Sequence, residues 1–349
     1  MIFVNIACYR DPECEATVRD LFNKARRPGE IVVCVVMQTE PKDNILFFGR
    51  NVRMLVVKGS DSQGVCWARS MGYKFWDGED YVLQVDSHMR FAEHWDVKML
   101  RQLERCGVSK ALLTTYPPAY EPPNTLLDHR TPFLAAVRFE PNGVLVQRGY
   151  IHDTAPVLPR PSAFVAAGFI FGRSQWIRDV PYDRRLYFWG EETTTAVRLW
   201  THGWDMFGPT EPLLWHWYNR ANGRVPWQDD PEWHVRDGLS LARMRHLLGI
   251  EAAATSEAIV DIERYGFGSV RTFAQYQAFA GINFRERTIA PHALAGEWPY
   301  TTPDPCNRAS VSASTPQSVA NTSSVCSPNS GGREILAGES DNLIGQPTV

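Results

Sequence analysis

Residues 31–37 read IVVCVVM, seven apolar residues in a row, four of them valine. A strand with one wet face alternates apolar and polar residues. An unbroken apolar run rich in valine is how a strand covered on both faces reads, and such strands belong to sheets flanked by helices. The neighbouring segments fit that setting. Residues 2–8 (IFVNIAC) form a strand-like run, and residues 15–26 place Ala16, Val18, Leu21, Phe22 and Ala25 near one helical face before Pro28-Gly29 stops the pattern. Residues 52–57 predict a third strand, residues 64–76 a second helix (Val65, Ala68, Met71, Gly72, Phe75) and residues 81–85 a fourth strand. The order β-α-β-β-α-β predicts an α/β fold with a mainly parallel central sheet flanked by helices. Ligands on such sheets sit beyond the carboxyl ends of the strands.

Further along, the proline-rich residues 116–132 predict a loop over the sheet, and residues 133–151 paired strands around Pro141-Asn142-Gly143. Residues 163–172 (AFVAAGFIFG) predict another buried strand, residues 191–202 a helix, and residues 237–281 two or three helices. After about residue 303 the sequence turns polar and low in complexity. It lacks the apolar area to offset its ordering entropy, so 303–349 is expected to be a disordered tail. The 349 residues can bury a sizeable core, and a net charge of −3 gives no basic field for nucleic acid or anionic lipid. No apolar run reaches the length of a membrane span, and the N-terminus has no signal-peptide pattern. Cys8, Cys14, Cys34, Cys66, Cys106, Cys306 and Cys326 are odd in number and lack a Cys-x-x-Cys pair. They are expected to be reduced thiols of a cytoplasmic protein.

The fourth strand runs into VLQVDSHMRF, residues 82–91. Residues two apart share a strand face, so Asp86 and His88 point at one spot past the sheet edge while Ser87 points away. A carboxylate oxygen beside an imidazole nitrogen suits a borderline divalent ion such as Mn2+. His216, in EPLLWHWYNR and also after an apolar run, is the candidate third ligand. The competing reading is a polar strand end with Asp86 capping the next helix. Glu191 and Glu192 open a predicted helix, where acids favour the helix dipole whether or not they also do chemistry.

Three blocks shift this balance: IFVNIACYRDPECEATVRDLFNKARRPGEIVVCVVMQ, GEDYVLQVDSHMRFAEHWD and RRLYFWGEETTTAVRLWTHGWDMFGPTEPLLWHWYNR. With the weaker YGFGSVRTFAQYQAFAGINF they span most of residues 1–290 in order. The chain resembles the GlcNAc transferases typified by the cytoplasmic enzyme that modifies hydroxyproline on a ubiquitin-ligase adaptor. That family is similar to the polypeptide GalNAc transferases, which also carry Asp-x-His. The resemblance implies one GT-A type glycosyltransferase domain over 1–290, including the helices at about 237–281. It implies Mn2+ or Mg2+ on Asp86, His88 and His216, bridging the diphosphate of a UDP-sugar, most simply UDP-GlcNAc. Asp86 would thus serve metal and nucleotide together. Arg69, on the helix before the metal strand, would hold the nucleotide or order the site, and Tyr9 and Arg10 would lie where uridine binds. Arg10 could instead pair locally with Asp11. One of Glu191 and Glu192, with Glu192 favoured as the inward residue, would face the donor sugar or the acceptor hydroxyl.

The expected reaction is sugar transfer, with retention, to a hydroxyl on a protein side chain or glycan. No nucleophile is assigned. Two rivals keep the same residues: a sugar-nucleotide hydrolase and a nucleotide-sugar binding protein without turnover. Thr193-Thr194-Thr195 is an unusually β-branched helix start for this family. Trp189, Trp200, Trp204, Trp215 and Trp217 are expected to be mostly core, with one or two lining an acceptor groove.

Overall fold

The computed structural model describes residues 1–300 apart from 41–42, 44–48, 50 and 220–222, together with Arg333–Glu334. Its front half runs β1 (Ile2–Tyr9), α1 (Cys14–Lys24), β2 (Ile31–Thr39), β3 (Val52–Lys58), α2 (Val65–Gly72) and β4 (Tyr81–Asp86). This is the expected β-α-β-β-α-β order. Next come β5 (Met89–Phe91), α3 (Trp95–Arg105), β6 (Ala111–Thr114), a small hairpin of β7 (Tyr120–Glu121) and β8 (Thr125–Leu126), and a long one of β9 (Pro132–Phe139) and β10 (Leu145–Ile151). The chain continues through β11 (Arg160–Ser162), β12 (Phe169–Arg173), α4 (Gln175–Asp179), α5 (Glu191–Thr201), β13 (Asp205–Gly208) and β14 (Leu214–His216). Helices α6 (Pro226–Asp229), α7 (Trp233–Leu247) and α8 (Phe273–Ala280) follow.

Eight strands form the central sheet in the order β11-β13-β6-β12-β4-β1-β2-β3. Pairs β1–β2, β1–β4, β2–β3 and β6–β13 are parallel, and β12 runs antiparallel to both β4 and β6. The apolar run of β2 is covered on both faces, as expected. Ile31, Val33, Val35 and Met37 enter one core cluster, while Val32 and Cys34 enter another. Helix α1 buries Cys14, Thr17, Val18 and Leu21, a stripe at helical spacing. In β1 and β4 the register sets Ala7 beside Asp86, so the loop after β1 meets the end of β4.

Two expectations need correction. The strand predicted over 163–172 begins only at Phe169, because residues 163–168 turn across the end of the sheet with a single bridge between Ala166 and Phe169. Their apolar character reflects burial of Ala163–Ala167, which periodicity alone cannot distinguish from a strand. The 116–132 loop carries its own hairpin, tied to the sheet by Arg90, which donates to Pro123 O and to Asn124 Oδ1. The β-branched start of α5 also has a physical account. Thr193, Thr194 and Thr195 are all buried, and the Thr194 hydroxyl donates to Gly190 O at 2.7 Å. Cys8, Cys14, Cys34, Cys66 and Cys106 are free and buried. Cys306, Cys326 and the expected disordered tail lie outside the described residues, except that Arg333–Glu334 pair with Ile151 and Tyr150. Among the described residues no helix is long and apolar enough to cross a membrane.

Candidate active site at the carboxyl end of the sheet

Asp86 is the last residue of β4, and the chain passes through Ser87 and His88 into β5. Strand β14 pairs antiparallel with β5, setting His216 opposite Met89, and Trp217 N–H donates to His88 O at 3.1 Å. This small sheet brings His216 to the end of β4 from far along the chain. Ligand-type atoms of Asp86, His88 and His216 lie within 4.8 Å of one another. His216 Nε2 stands 3.3 Å from Asp86 Oδ2, and the two imidazole rings are 4.5 Å apart edge to face.

The surroundings hold these three side chains in place. His88 Nδ1 lies 2.6 Å from Asp11 Oδ2, which also accepts the Ser87 hydroxyl at 2.6 Å. A carboxylate on one ring nitrogen fixes the tautomer and leaves Nε2 as the lone-pair donor, the arrangement typical of metal-binding histidines. The Asp86 carboxylate accepts from Arg69 Nη2 at 2.6 Å through Oδ1. Burial works against ionisation of Asp86, but the hydrogen bond from His216 and the Arg69 charge prevail and hold its carboxyl far below the usual carboxylate range. Behind it, Gly168 comes so close that an added Cβ would sit 2.5 Å from Asp86 Oδ2. One carboxylate oxygen and two imidazole nitrogens suit Mn2+ or a similar divalent ion, and the three residues leave positions for further oxygen ligands.

The two acids of α5 have different neighbours. Glu191 is buried and accepts from both Arg69 Nη1 and the Tyr182 hydroxyl. Arg69 thus spans Glu191 and Asp86. Among the described residues Glu192 meets no cation in hydrogen-bond contact. It accepts from the Tyr116 hydroxyl, from Gln147 Nε2 at 2.9 Å and from Ala167 N–H at 2.8 Å. Gln147 stands at an irregularity in the β9–β10 register, and Ala167 on the turn before β12. Burial pushes the Glu192 carboxyl up to about 7, against the hydrogen bonds that favour its ionised form.

Tyr9 ends β1 and Arg10 follows it, at the same carboxyl edge of the sheet. The Tyr9 hydroxyl donates to Asp229 Oδ2 at 2.9 Å, and Arg10 pairs with Asp229 at 2.7 Å and with Asp43 at 2.8 Å. The local Arg10–Asp11 pair is therefore not formed. The chain turns through left-handed backbone at Arg10 (φ 47°), and Asp11 goes to His88 instead. Asp11, Tyr116, Gln147 and Gly168 are the site neighbours that sequence reasoning missed. Of the tryptophans, Trp200, Trp204 and Trp215 are buried, whereas Trp189 and Trp217 keep partial exposure.

A mainly parallel sheet with an Asp-x-His at the end of a central strand defines the class: the fold is that of the GT-A glycosyltransferases. The family described as Glycosyltransferase (GlcNAc) matches residues 1–46 and 39–286, and the chain belongs to it. Among solved structures, GalNAc-T7 with UDP, GalNAc and Mn2+ superposes with a TM-score of 0.51 at 13% identity, over 80% of this chain and 56% of that one. S. aureus TarS 1–349 in complex with UDP-GlcNAc gives a TM-score of 0.44 at 13% identity, over 79% and 72% of the two chains. The chain thus spans little more than half the length of the GalNAc-T7 chain. No curated protein matches it.

Proposed function

We propose that the protein transfers a sugar, GlcNAc, from a UDP-sugar to a hydroxyl on a protein side chain or glycan, with a divalent metal and with retention, in the cytoplasm. The observation that carries this reading is the convergence of Asp86, His88 and His216, with Asp11 bracing His88. Support comes also from GalNAc-T7, a protein of this fold solved with UDP, GalNAc and Mn2+.

Asp86, His88 and His216 would hold Mn2+ or Mg2+. When bound, the ion supplies Lewis-acid stabilisation of the diphosphate as UDP departs. Arg69 keeps Asp86 oriented and ionised, acting on the donor through that carboxylate. Tyr9 and Arg10 border the nucleotide where β1 ends, and Asp229 and Asp43 fix the Arg10 side chain. In the transfer, the bond from the anomeric carbon to the diphosphate oxygen breaks, the acceptor oxygen bonds to that carbon, and the acceptor's proton must leave. Glu192 suits work at the sugar or acceptor, because a carboxyl near pH 7 can hold or accept a proton at modest cost. Glu191 is committed to Arg69 and Tyr182, so its part is positioning. The partial exposure of Trp189 and Trp217 leaves both available to an acceptor groove.

The test is UDP release from UDP-GlcNAc with and without lysate acceptors, followed by mass spectrometry of the glycosylated proteins. EDTA should abolish release and Mn2+ restore it. Asp86→Ala should lose donor binding while the chain stays folded. Full activity in a metal-free preparation sinks the metal role. Equal UDP release without acceptor indicates a hydrolase, and nucleotide affinity without release a binding protein.

A further inference from the structure

Away from the Asp86 cluster lies a cavity of about 160 Å³ between the loop at residues 183–187, helix α7 and the short turn at Glu257–Ile259. Four guanidinium groups line it, Arg184, Arg185, Arg236 and Arg243, together with the phenol of Tyr187 and a single carboxylate, Glu257. This volume is below the roughly 300–1,000 Å³ of pockets that enclose drug-sized molecules. It suits a small oxyanion or a single phosphoryl group, not a whole sugar nucleotide.

The arginines are only partly neutralised. Arg243 pairs through Nε with Asp183 at 2.7 Å and gives Nη1 to the carbonyls of Ala258 and Val260. Its side chain is 1% exposed, yet Nη2 has no hydrogen-bond partner. Tyr187 is 3% exposed, and its hydroxyl faces Asp230, the same carboxylate that pairs with Arg236. Arg236 meets Asp230 at 3.1 Å through Nε, and Arg185 meets Asp261 at 3.4 Å through one terminal nitrogen. Arg184 has no ion-pair or hydrogen-bond partner among the described residues. A buried donor left unmade costs free energy, and Arg243 Nη2 can donate to an acceptor. Guanidinium groups lining one cavity, one of them with an unfilled donor, match the oxygens of a phosphoryl group.

We propose that this cavity binds a phosphoryl group, either free inorganic phosphate or a phosphate ester on a larger ligand, at a site separate from the one that takes the UDP-sugar. None of its lining residues belongs to the metal cluster or to the Arg69–Glu191–Glu192 group. The cavity nevertheless adjoins that machinery. Gln63 on its wall lies two residues before the start of α2, which carries Arg69. Val65 N–H donates to Tyr187 O at 3.2 Å, and Tyr187 lies four residues before Glu191. Occupancy therefore bears on the two segments that present Arg69 and Glu191.

The experiment uses the full chain, titrated with inorganic phosphate and separately with O-phosphoserine, by calorimetry and thermal shift, in the presence and absence of saturating UDP. Arg184→Glu and Arg236→Gln are compared with wild type, and UDP affinity is measured for each. Arg184 is exposed and unpaired, so its replacement leaves the fold intact. The expected result is saturable binding, weakened about tenfold or more in Arg184→Glu and less in Arg236→Gln, with UDP affinity kept. Tighter binding of O-phosphoserine assigns the site to a phosphate ester; equal or tighter binding of phosphate assigns it to the free ion. Absence of saturable binding, equal binding by wild type and both variants, or loss of binding when UDP is added overturns the proposal. Because UDP affinity is read separately, this result stands or falls independently of the donor site.

Discussion

Glu192 offers the most exacting test of the site, because its environment fixes both a sign and a size. Its carboxyl is raised from an ordinary 4.5 to about 7, with burial as the leading cause. Between those two values the folded chain holds a proton that the unfolded chain has released. Stability therefore falls as pH rises through this window, and the contribution is fully present only below about 4.5. At ~1.36 kcal/mol per pH unit, the ionised form costs the folded chain about 3 kcal/mol more than the protonated form. Glu192→Gln removes the titration. Relative to this variant, wild type should lose up to about 3 kcal/mol between pH 4.5 and 7.5, or several degrees of Tm at roughly 2–4 °C per kcal/mol. Thermal unfolding of both proteins across pH 4.5–8, free of metal and nucleotide, gives the comparison. NMR of the carboxyl carbon gives the titration directly. Parallel stability curves, with a Glu192 titration near 4.5, would falsify the enclosed-carboxyl account. On activity, the same variant should keep its UDP affinity and lose roughly 100-fold or more in turnover.

Gly168→Ala should force Asp86 aside, since the added Cβ would stand 2.5 Å from Oδ2. Gly172→Ala, whose Cβ would meet Leu112 Cδ2 at 2.4 Å in the core, serves as the matched control. Both should lose about 1–3 kcal/mol of stability, but only the first should weaken Mn2+ binding in a calorimetric titration; equal metal affinities would refute the close approach. Asp11→Asn should cost 10–100-fold in Mn2+ affinity with little change in Tm, because it removes the carboxylate that orients His88. Arg69→Met should destabilise the chain by about 3–5 kcal/mol in denaturant unfolding, since two carboxylates lose their shared cation. Arg69→Lys should recover part of that stability but not the metal affinity, as an ammonium lacks the planar fork that reaches both acids.

How far the sequence revealed this arrangement depended on how local each contact is. The sheet was legible because the β2 run and the flanking helical stripes are local patterns. Asp86 and His88 were legible because both sit at one strand end, two residues apart. His216 joins them only through the pairing of β14 with β5, and an apolar run followed by a histidine does not specify that pairing. Its position after an apolar run made it a candidate, and the family resemblance supplied the role. Asp11 was out of reach for the same reason: it meets His88, 77 positions away, because β1 and β4 lie parallel in a register that no local pattern sets. The early start predicted for β12 has a different cause. Residues 163–168 are apolar because they turn through the core, and there the carbonyl and amide groups of the turn, not a ladder, position Gln84 and Glu192.

The two adjacent glutamates show what only the fold can decide. On a helix consecutive side chains point about 100° apart, so two acids at a helix start cannot share one environment. Glu191 turns toward α2 and finds Arg69; Glu192 turns toward the 163–168 turn and the β9–β10 hairpin and finds donors without charge. The first acid is thereby part of a chain running Glu191–Arg69–Asp86, in which α5 and α2 jointly orient the carboxylate at the end of β4. The second is held by hydrogen bonds alone and keeps access to a proton near neutral pH. A one-residue slip of α5 that put Glu192 in the place of Glu191 would give that acid a cation that drives it to permanent ionisation, and would leave Thr193 among the donors that now hold Glu192. The register of α5, anchored by its buried threonines and the Thr194–Gly190 bond, is therefore a requirement of the site as much as of the core.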